Sequence, residues 1–216
     1  MKSRAVALTI AAVTLTLLVR CSGQVAGIET TNGATVAARA SSIEGAAPPG
    51  ARISVFDSAY IPLTDSGFGY ATSAGARGEF SFENCVPGVY RVIIDSRDMN
   101  AAVAFQRVVV GASRGDSVYQ ARLGPTGAIT GNVTMDSLWS GERILLYCVA
   151  SAYYVVCSQP GPFALESVAP GTYEVRACLL APGGATISPV ITRRQSGRTV
   201  DVRPGQAVAA GNVSIR

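Results

Sequence analysis

Histidine is absent from all 216 residues, and no lysine follows Lys2. The first absence removes the usual base of a serine hydrolase and the commonest metal ligand. No CxxC pair stands in for it, so no zinc site is encoded, and a serine hydrolase would lack its usual base. Charged residues make up only 15% of the chain, and the 14 acidic ones are dispersed, so no carboxylate pair for acid–base catalysis is marked by spacing. All basic residues but Lys2 are arginines, and Lys2, Arg4 and Arg20 lie at the N-terminus; without that segment the net charge falls from +4 to +1. The other arginines are scattered apart from Arg193 and Arg194, which is not the basic stripe with interleaved aromatics of a nucleic-acid binder. No helical period runs through the chain beyond its first twenty residues.

What is present is 48% apolar residues with 23 glycines and 11 prolines, a globular composition rich in turns. Lys2 and Arg4 precede an apolar run from Ala5 to Val19, about 15 residues against the ~20 that span a bilayer, so residues 1–20 read as the helix of an export signal. Leu18-Val19-Arg20-Cys21 resembles the bacterial lipobox, which implies acylation at Cys21 and a membrane as partner. Arg20 departs from that pattern, where Gly, Ala or Ser is usual; cleavage after Gly23 and an uncleaved anchor are the alternatives. One acyl chain binds membranes weakly, so firm anchoring takes more than one. Residues 21–33, small and polar, read as a flexible tether.

The chain then says one thing twice. GEFSFENCVPGVYRV from Gly78 returns as GPFALESVAPGTYEV from Gly161, matching Pro87, Gly88 and Tyr90 to Pro170, Gly171 and Tyr173 at an offset of 83. Elsewhere the offset is larger: 93 for Val36 and Ala38 against Ile129 and Gly131, and 91 for Ile53 and Val55 against Ile144 and Leu146. The drop to 83 places a surface insertion in the first copy between Phe56 and Gly78. Alternating strands fill both copies, so the fold class expected is all-β, with about seven strands in each of two tandem sandwiches, residues 34–124 and 125–216. Pro-Gly suits a type II turn, with Gly88 and Gly171 at positive φ. Tyr90 and Tyr173 follow with buried rings and hydroxyls bonded to backbone.

Apart from Cys21 there are four cysteines, which allow three pairings. Cys148 and Cys157 flank VASAYYVV and are expected opposite each other across a hairpin centred between Ala152 and Tyr153, in a disulfide worth about 2.5 kcal/mol. Cys85 and Cys178 are then either unpaired or a link between the domains.

The doubled G-x-F…P-G-x-Y-x-V block, preceded by ARISVF and RILLYC, resembles the carboxypeptidase regulatory-like domain, over about Ala34 to Arg216. That resemblance implies two transthyretin-like (prealbumin-like) Greek-key sandwiches, accessory and non-enzymatic, as found on bacterial surface lipoproteins. Arg77-Gly78 and Pro160-Gly161 replace the family's Asp-Gly or Asn-Gly turn. The missing histidine excludes the ureide hydrolysis and ring cleavage of related sandwiches, and the missing lysine excludes the isopeptide bond of related adhesins.

Trp139 and the Tyr153-Tyr154 hairpin tip are candidates for stacking on a ligand, and Tyr60, Phe68 and Tyr70 fall on or beside the insertion. Asp95, Asp98 and Asn100 offer oxygen ligands without EF-hand spacing, and turn chemistry accounts for them better than a metal. No cofactor is called for. The reading is a surface-anchored structural or binding protein, with carbohydrate binding beside a polysaccharide-degrading system as the alternative; its candidate partners are a membrane, a polysaccharide and another surface protein, and not nucleic acid.

Overall fold

Val, Ile, Tyr and Phe at every second position give these segments one apolar face each, and such strands must pair that face against another sheet. The computed structural model describes residues 32–64, 67–111, 117–135, 142–180, 191–194 (backbone only) and 197–215, all of them strand, turn or irregular chain. The export signal, Cys21 and Trp139 lie outside the described residues.

In the N-terminal half the strands are β1 (Gly33–Ala38), β2 (Ile43–Ala46), β3 (Arg52–Asp57), β4 (Gly69–Ser73), β5 (Glu79–Phe82), β6 (Gly88–Asp95), β7 (Ala101–Val110), β8 (Ser117–Arg122) and the short β9 (Gly124–Pro125). They form two antiparallel sheets, ordered β5-β2-β1-β8 and β4-β3-β6-β7-β9. Ala34, Val36, Ile43 and Phe80 from the first sheet meet Ile53, Val55, Tyr90, Val92, Ile94 and Val108 from the second in one core.

The C-terminal half repeats the plan with β10 (Gly127–Met135), β11 (Arg143–Cys148), β12 (Tyr154–Cys157), β13 (Gly161–Val168), β14 (Gly171–Leu180), β15 (Ile191–Arg194), β16 (Arg198–Val202) and β17 (Ala207–Ile215). The sheet β13-β10-β17 faces β12-β11-β14, whose far edge is shared by β15 and β16. Ile129, Val133, Phe163 and Ile215 meet Ile144, Leu146, Tyr173, Val175 and Leu179 in the second core.

Register corrects the sequence alignment of the first strands. β2 pairs β5 with Gly45 opposite Phe80, and β10 pairs β13 with Gly131 opposite Phe163. Each phenyl ring lies where a Cβ on the glycine would stand, 2.9 Å from it at Gly45 and 2.7 Å at Gly131. Ile43-x-Gly45 is therefore the counterpart of Ile129-x-Gly131, an offset of 86 rather than 93. The true counterpart of β10 is β2, and β1 is an addition inserted between β2 and β8, antiparallel to both. In the second half β17 pairs β10 directly and in parallel.

Two further expectations change. β12 pairs β11 with Ile144 opposite Cys157 and Tyr147 opposite Tyr154, so the hairpin turns between Ala150 and Ser151, where Ala150 takes φ 54°. Cys148 then stands four positions from the partner of Cys157, roughly 13 Å along the strand, against the ~7 Å limit between α-carbons in a disulfide. Neither cysteine is in a disulfide, and Cys85 and Cys178 lie in separate cores, so no bond links the two halves through them. Gly88 is not at positive φ, whereas Gly171 is, at 150°; the left-handed non-glycine residues of the repeated block are Asn84 (57°) and Ser167 (54°), which are equivalent at offset 83 and lie three residues before each proline.

Candidate functional site: the junction between the two halves

Alternation puts Arg52, Ser54 and Phe56 of β3, Arg91, Ile93 and Asp95 of β6, and Ala102, Ala104 and Gln106 of β7 on the outer face of the first half's second sheet. In an antiparallel sandwich that face is usually wet. Here its centre is dry: Phe56, Ile93 and Ala102 are buried with Ala150 and Ala169 of the second half, and Tyr60, Ala104, Val149 and Tyr153 pack around them.

The inserted loop closes over the junction from one side. Its base is pinned by Asp57, whose carboxylate accepts from the amides of Ala59 and Phe68 at 2.7 Å each. Tyr60 packs on Phe56 with ring centroids 4.8 Å apart, and its carbonyl accepts from the Ala150 amide at 3.3 Å. Ile61 inserts among Leu145, Tyr147, Cys178 and Leu180 on the outer face of β11 and β14, a face that would otherwise lack cover from the first half.

Arg91 fastens the other side. Its guanidinium donates to the carbonyls of Val149 (3.0 Å) and Thr172 (3.2 Å) in the second half and to Gln106 Oε1 (2.7 Å) in its own. It also lies over the Tyr173 ring, 4.6 Å from the centroid. Burial pulls its pKa down from the ordinary value, and the neighbouring Tyr173 opposes that pull. Gln106 Nε2 is buried without a partner and stands 2.8 Å from where a Cβ at residue 171 would lie. Gly171, at φ 150°, thus admits the first half's glutamine.

The repeated tyrosines act through their hydroxyls. Tyr90 donates to the Val86 carbonyl at 2.6 Å and Tyr173 to the Ala169 carbonyl at 2.9 Å, the same reach of four residues in both copies. In the second copy Tyr153 accepts from the Ala169 amide at 3.1 Å and meets Tyr173 edge to face at 5.7 Å, so Ala169 is held at both its backbone groups. Burial pushes both hydroxyl pKa values up, which leaves them neutral donors and acceptors. The Cys148 thiol beside them is pushed up to about 12 by burial and is inert.

The hairpin tip therefore forms no paired platform. Tyr153 turns inward to the junction while its neighbour Tyr154 stays 43% exposed on the opposite face of the strand. Near-parallel exposed rings occur instead beside the insertion: Phe68 and Tyr70, 58% and 50% exposed, have planes 13° apart and centroids 6.4 Å apart. The DSRDMN segment is a tight hairpin turn in which Asp98 accepts from the Ser96 hydroxyl and from both the amide and side chain of Asn100. Among the described residues no group of three or more His, Cys, Asp or Glu could hold a metal.

Sequence reading does not single out Arg91 or Gln106, because a lone polar residue in an alternating strand looks solvated, nor Ile61 in its loop, and it takes Asp95 only as a turn residue beside Asp98 and Asn100. A signal was present: Val92-Ile93-Ile94 and Ile144-Leu145-Leu146-Tyr147-Cys148 are unbroken apolar runs, the pattern of strands buried on both faces.

No protein-family model matches the chain, and no curated protein does. Among solved structures, GBS52, the minor pilin of the Gram-positive pathogen Streptococcus agalactiae, aligns with 79% of this chain and 84% of its own at 12% identity. The TM-score of that superposition is 0.33, too loose to carry an argument about this protein.

Proposed function

We propose that this chain is an exported, non-enzymatic lipoprotein, anchored through Cys21 at the outer membrane or cell surface, whose two β-sandwiches work as one rigid structural module outside the cell. On this reading residues 34–124 and 125–216 are tandem seven-stranded Greek-key domains of transthyretin-like type. Strands β2 to β8 supply seven in the first and β10 to β17 seven in the second, with β15 and β16 sharing one place and β1 added.

The observation that carries the proposal is the junction itself: an insertion present in one copy only, and an arginine bonded to two carbonyls of the other copy, are spent on joining the halves. The connection between them is also fixed, since β9 pairs β7, the Thr126 amide donates to Asn100 O and the Gly205 amide to Pro125 O. Limited proteolysis tests it. The intact protein should resist cleavage around residues 123–127, whereas Arg91→Ala combined with Ile61→Asp should open that site; cleavage of the wild type at the same rate contradicts the proposal. Mass spectrometry of the mature N-terminus tests the anchor, which a product starting at Gln24 would rule out.

The carbohydrate-binding alternative is favoured by one observation, the exposed, near-parallel rings of Phe68 and Tyr70. A polysaccharide pull-down that fails with wild type, or succeeds equally with Phe68→Ala/Tyr70→Ala, removes it.

A further inference from the structure

At one end of the junction the two halves do not close. A cavity of about 140 Å³ remains, bounded by the outer face of β3 and β6 and by residues 152–153 and 166–167 of the second half. Its inner wall is Phe56, Ser54 and Asp95 with the Tyr153 ring; its mouth carries Glu166, which is exposed. Asp95 is 7% exposed, and its Oδ1 is buried with no hydrogen-bond partner. Arg52 stands across the ladder from Asp95 but is exposed, and no ion pair within 4 Å joins them. A desolvated carboxylate with an idle oxygen is expensive unless something complements it.

We propose that this cavity is a binding site for a small organic cation bearing a primary ammonium group, with the ammonium on Asp95 and the apolar body against Phe56 and the Tyr153 ring. Three features select that class. Two carboxylates line the cavity against one exposed guanidinium, so the field at its floor favours a positive ligand. A hard metal ion wants six or more oxygens, and no cluster of three ligating side chains exists among the described residues, whereas an ammonium is satisfied by Asp95 and the Ser54 hydroxyl. The cavity is open at its mouth, and its volume of about 140 Å³ is close to the ~150 Å³ that holds a benzene-sized body, which sets the bulk of the part of the ligand that it covers. The proposal is independent of whether the protein is membrane-anchored.

Isothermal titration of the intact protein with n-butylammonium chloride at pH 7.5 tests it, with n-butanol as the neutral probe of the same shape. The expected result is a Kd on the order of 1 mM for the ammonium, no binding of the alcohol, and at least a tenfold weaker Kd in Asp95→Asn. Glu166→Gln should weaken binding about twofold. Because Asp95→Asn could disturb packing, the wild type is also titrated at pH 5, where Asp95 holds a proton and affinity should fall several-fold. No binding of butylammonium, equal binding of the alcohol, an affinity unchanged in Asp95→Asn or at pH 5, or calcium chloride binding in its place each overturns the proposal.

Discussion

The Arg91 guanidinium lies 4.6 Å from the centre of the Tyr173 ring, and the two residues belong to different halves of the chain. Tyr173 was placed in the repeat to fix a strand edge, and the same ring has become the bed for a neighbour's arginine.

Arg91→Ala removes bonds to Val149 O and Thr172 O as well as that ring contact, and leaves the partly buried Val149 carbonyl without a donor, while water can reach the exposed Thr172 carbonyl. A loss of about 2–4 kcal/mol is expected in urea unfolding. Arg91→Lys should recover less than half of it, because an ammonium cannot reproduce the planar fork that serves Val149, Thr172 and Gln106 together.

The two tyrosine hydroxyls are not equivalent in surroundings, and Tyr→Phe should separate them. Tyr173 is fully buried, so Tyr173→Phe strands the Ala169 carbonyl and should cost about 1–2 kcal/mol. The Val86 carbonyl served by Tyr90 sits at an exposed residue where water can replace the bond, so Tyr90→Phe should cost about 0.5–1 kcal/mol. Equal losses in denaturant titrations would contradict this difference.

Asn84 and Ser167 occupy the same left-handed corner, and only asparagine tolerates it well. Ser167→Asn or Ser167→Gly should therefore raise stability by about 0.4–1 kcal/mol. The reciprocal Asn84→Ala should lower it by about 1 kcal/mol. A destabilised Ser167→Gly in thermal melts would show that the corner is not strained.

Asp95 gives the fold an unusual acid response. Burial raises its pKa from 3.8 to about 6, with Arg52 opposing, and Tyr153 and Glu166 face the same cavity. A raised carboxyl pKa means that the folded state binds the proton more tightly than the unfolded chain. Its contribution is complete below about pH 4 and is lost as pH rises through about 6, so stability should grow by on the order of 3 kcal/mol between pH 7.5 and 4. Asp95→Asn should flatten that profile and exceed the wild type at pH 7.5; a wild type that loses stability steadily from pH 7 to 4.5 would contradict the assignment.

The strands, the repeated tyrosines and the position of the insertion were legible because each is a local pattern: alternation, a spaced P-G-x-Y and a change of offset. What the insertion covers was not, since nothing near Tyr60 and Ile61 names Leu145 or Ala150 as partners. The first-strand alignment went astray because Val36-x-Ala38 alternates as well as Ile43-x-Gly45, and only the phenyl rings filling the glycine positions distinguish them. The Cys148 and Cys157 pairing failed on a two-residue error in the turn, which moves each strand residue four places relative to its partner. Trp139 and Cys21 lie outside the described residues.

The central claim, that the halves are one mechanical body, is tested most directly by scanning calorimetry of the intact protein beside the Arg91→Ala/Ile61→Asp variant. The account predicts a single wild-type transition with equal calorimetric and van't Hoff enthalpies, splitting into two in the variant. Two resolved transitions in the wild type, unchanged by the substitutions, would contradict it.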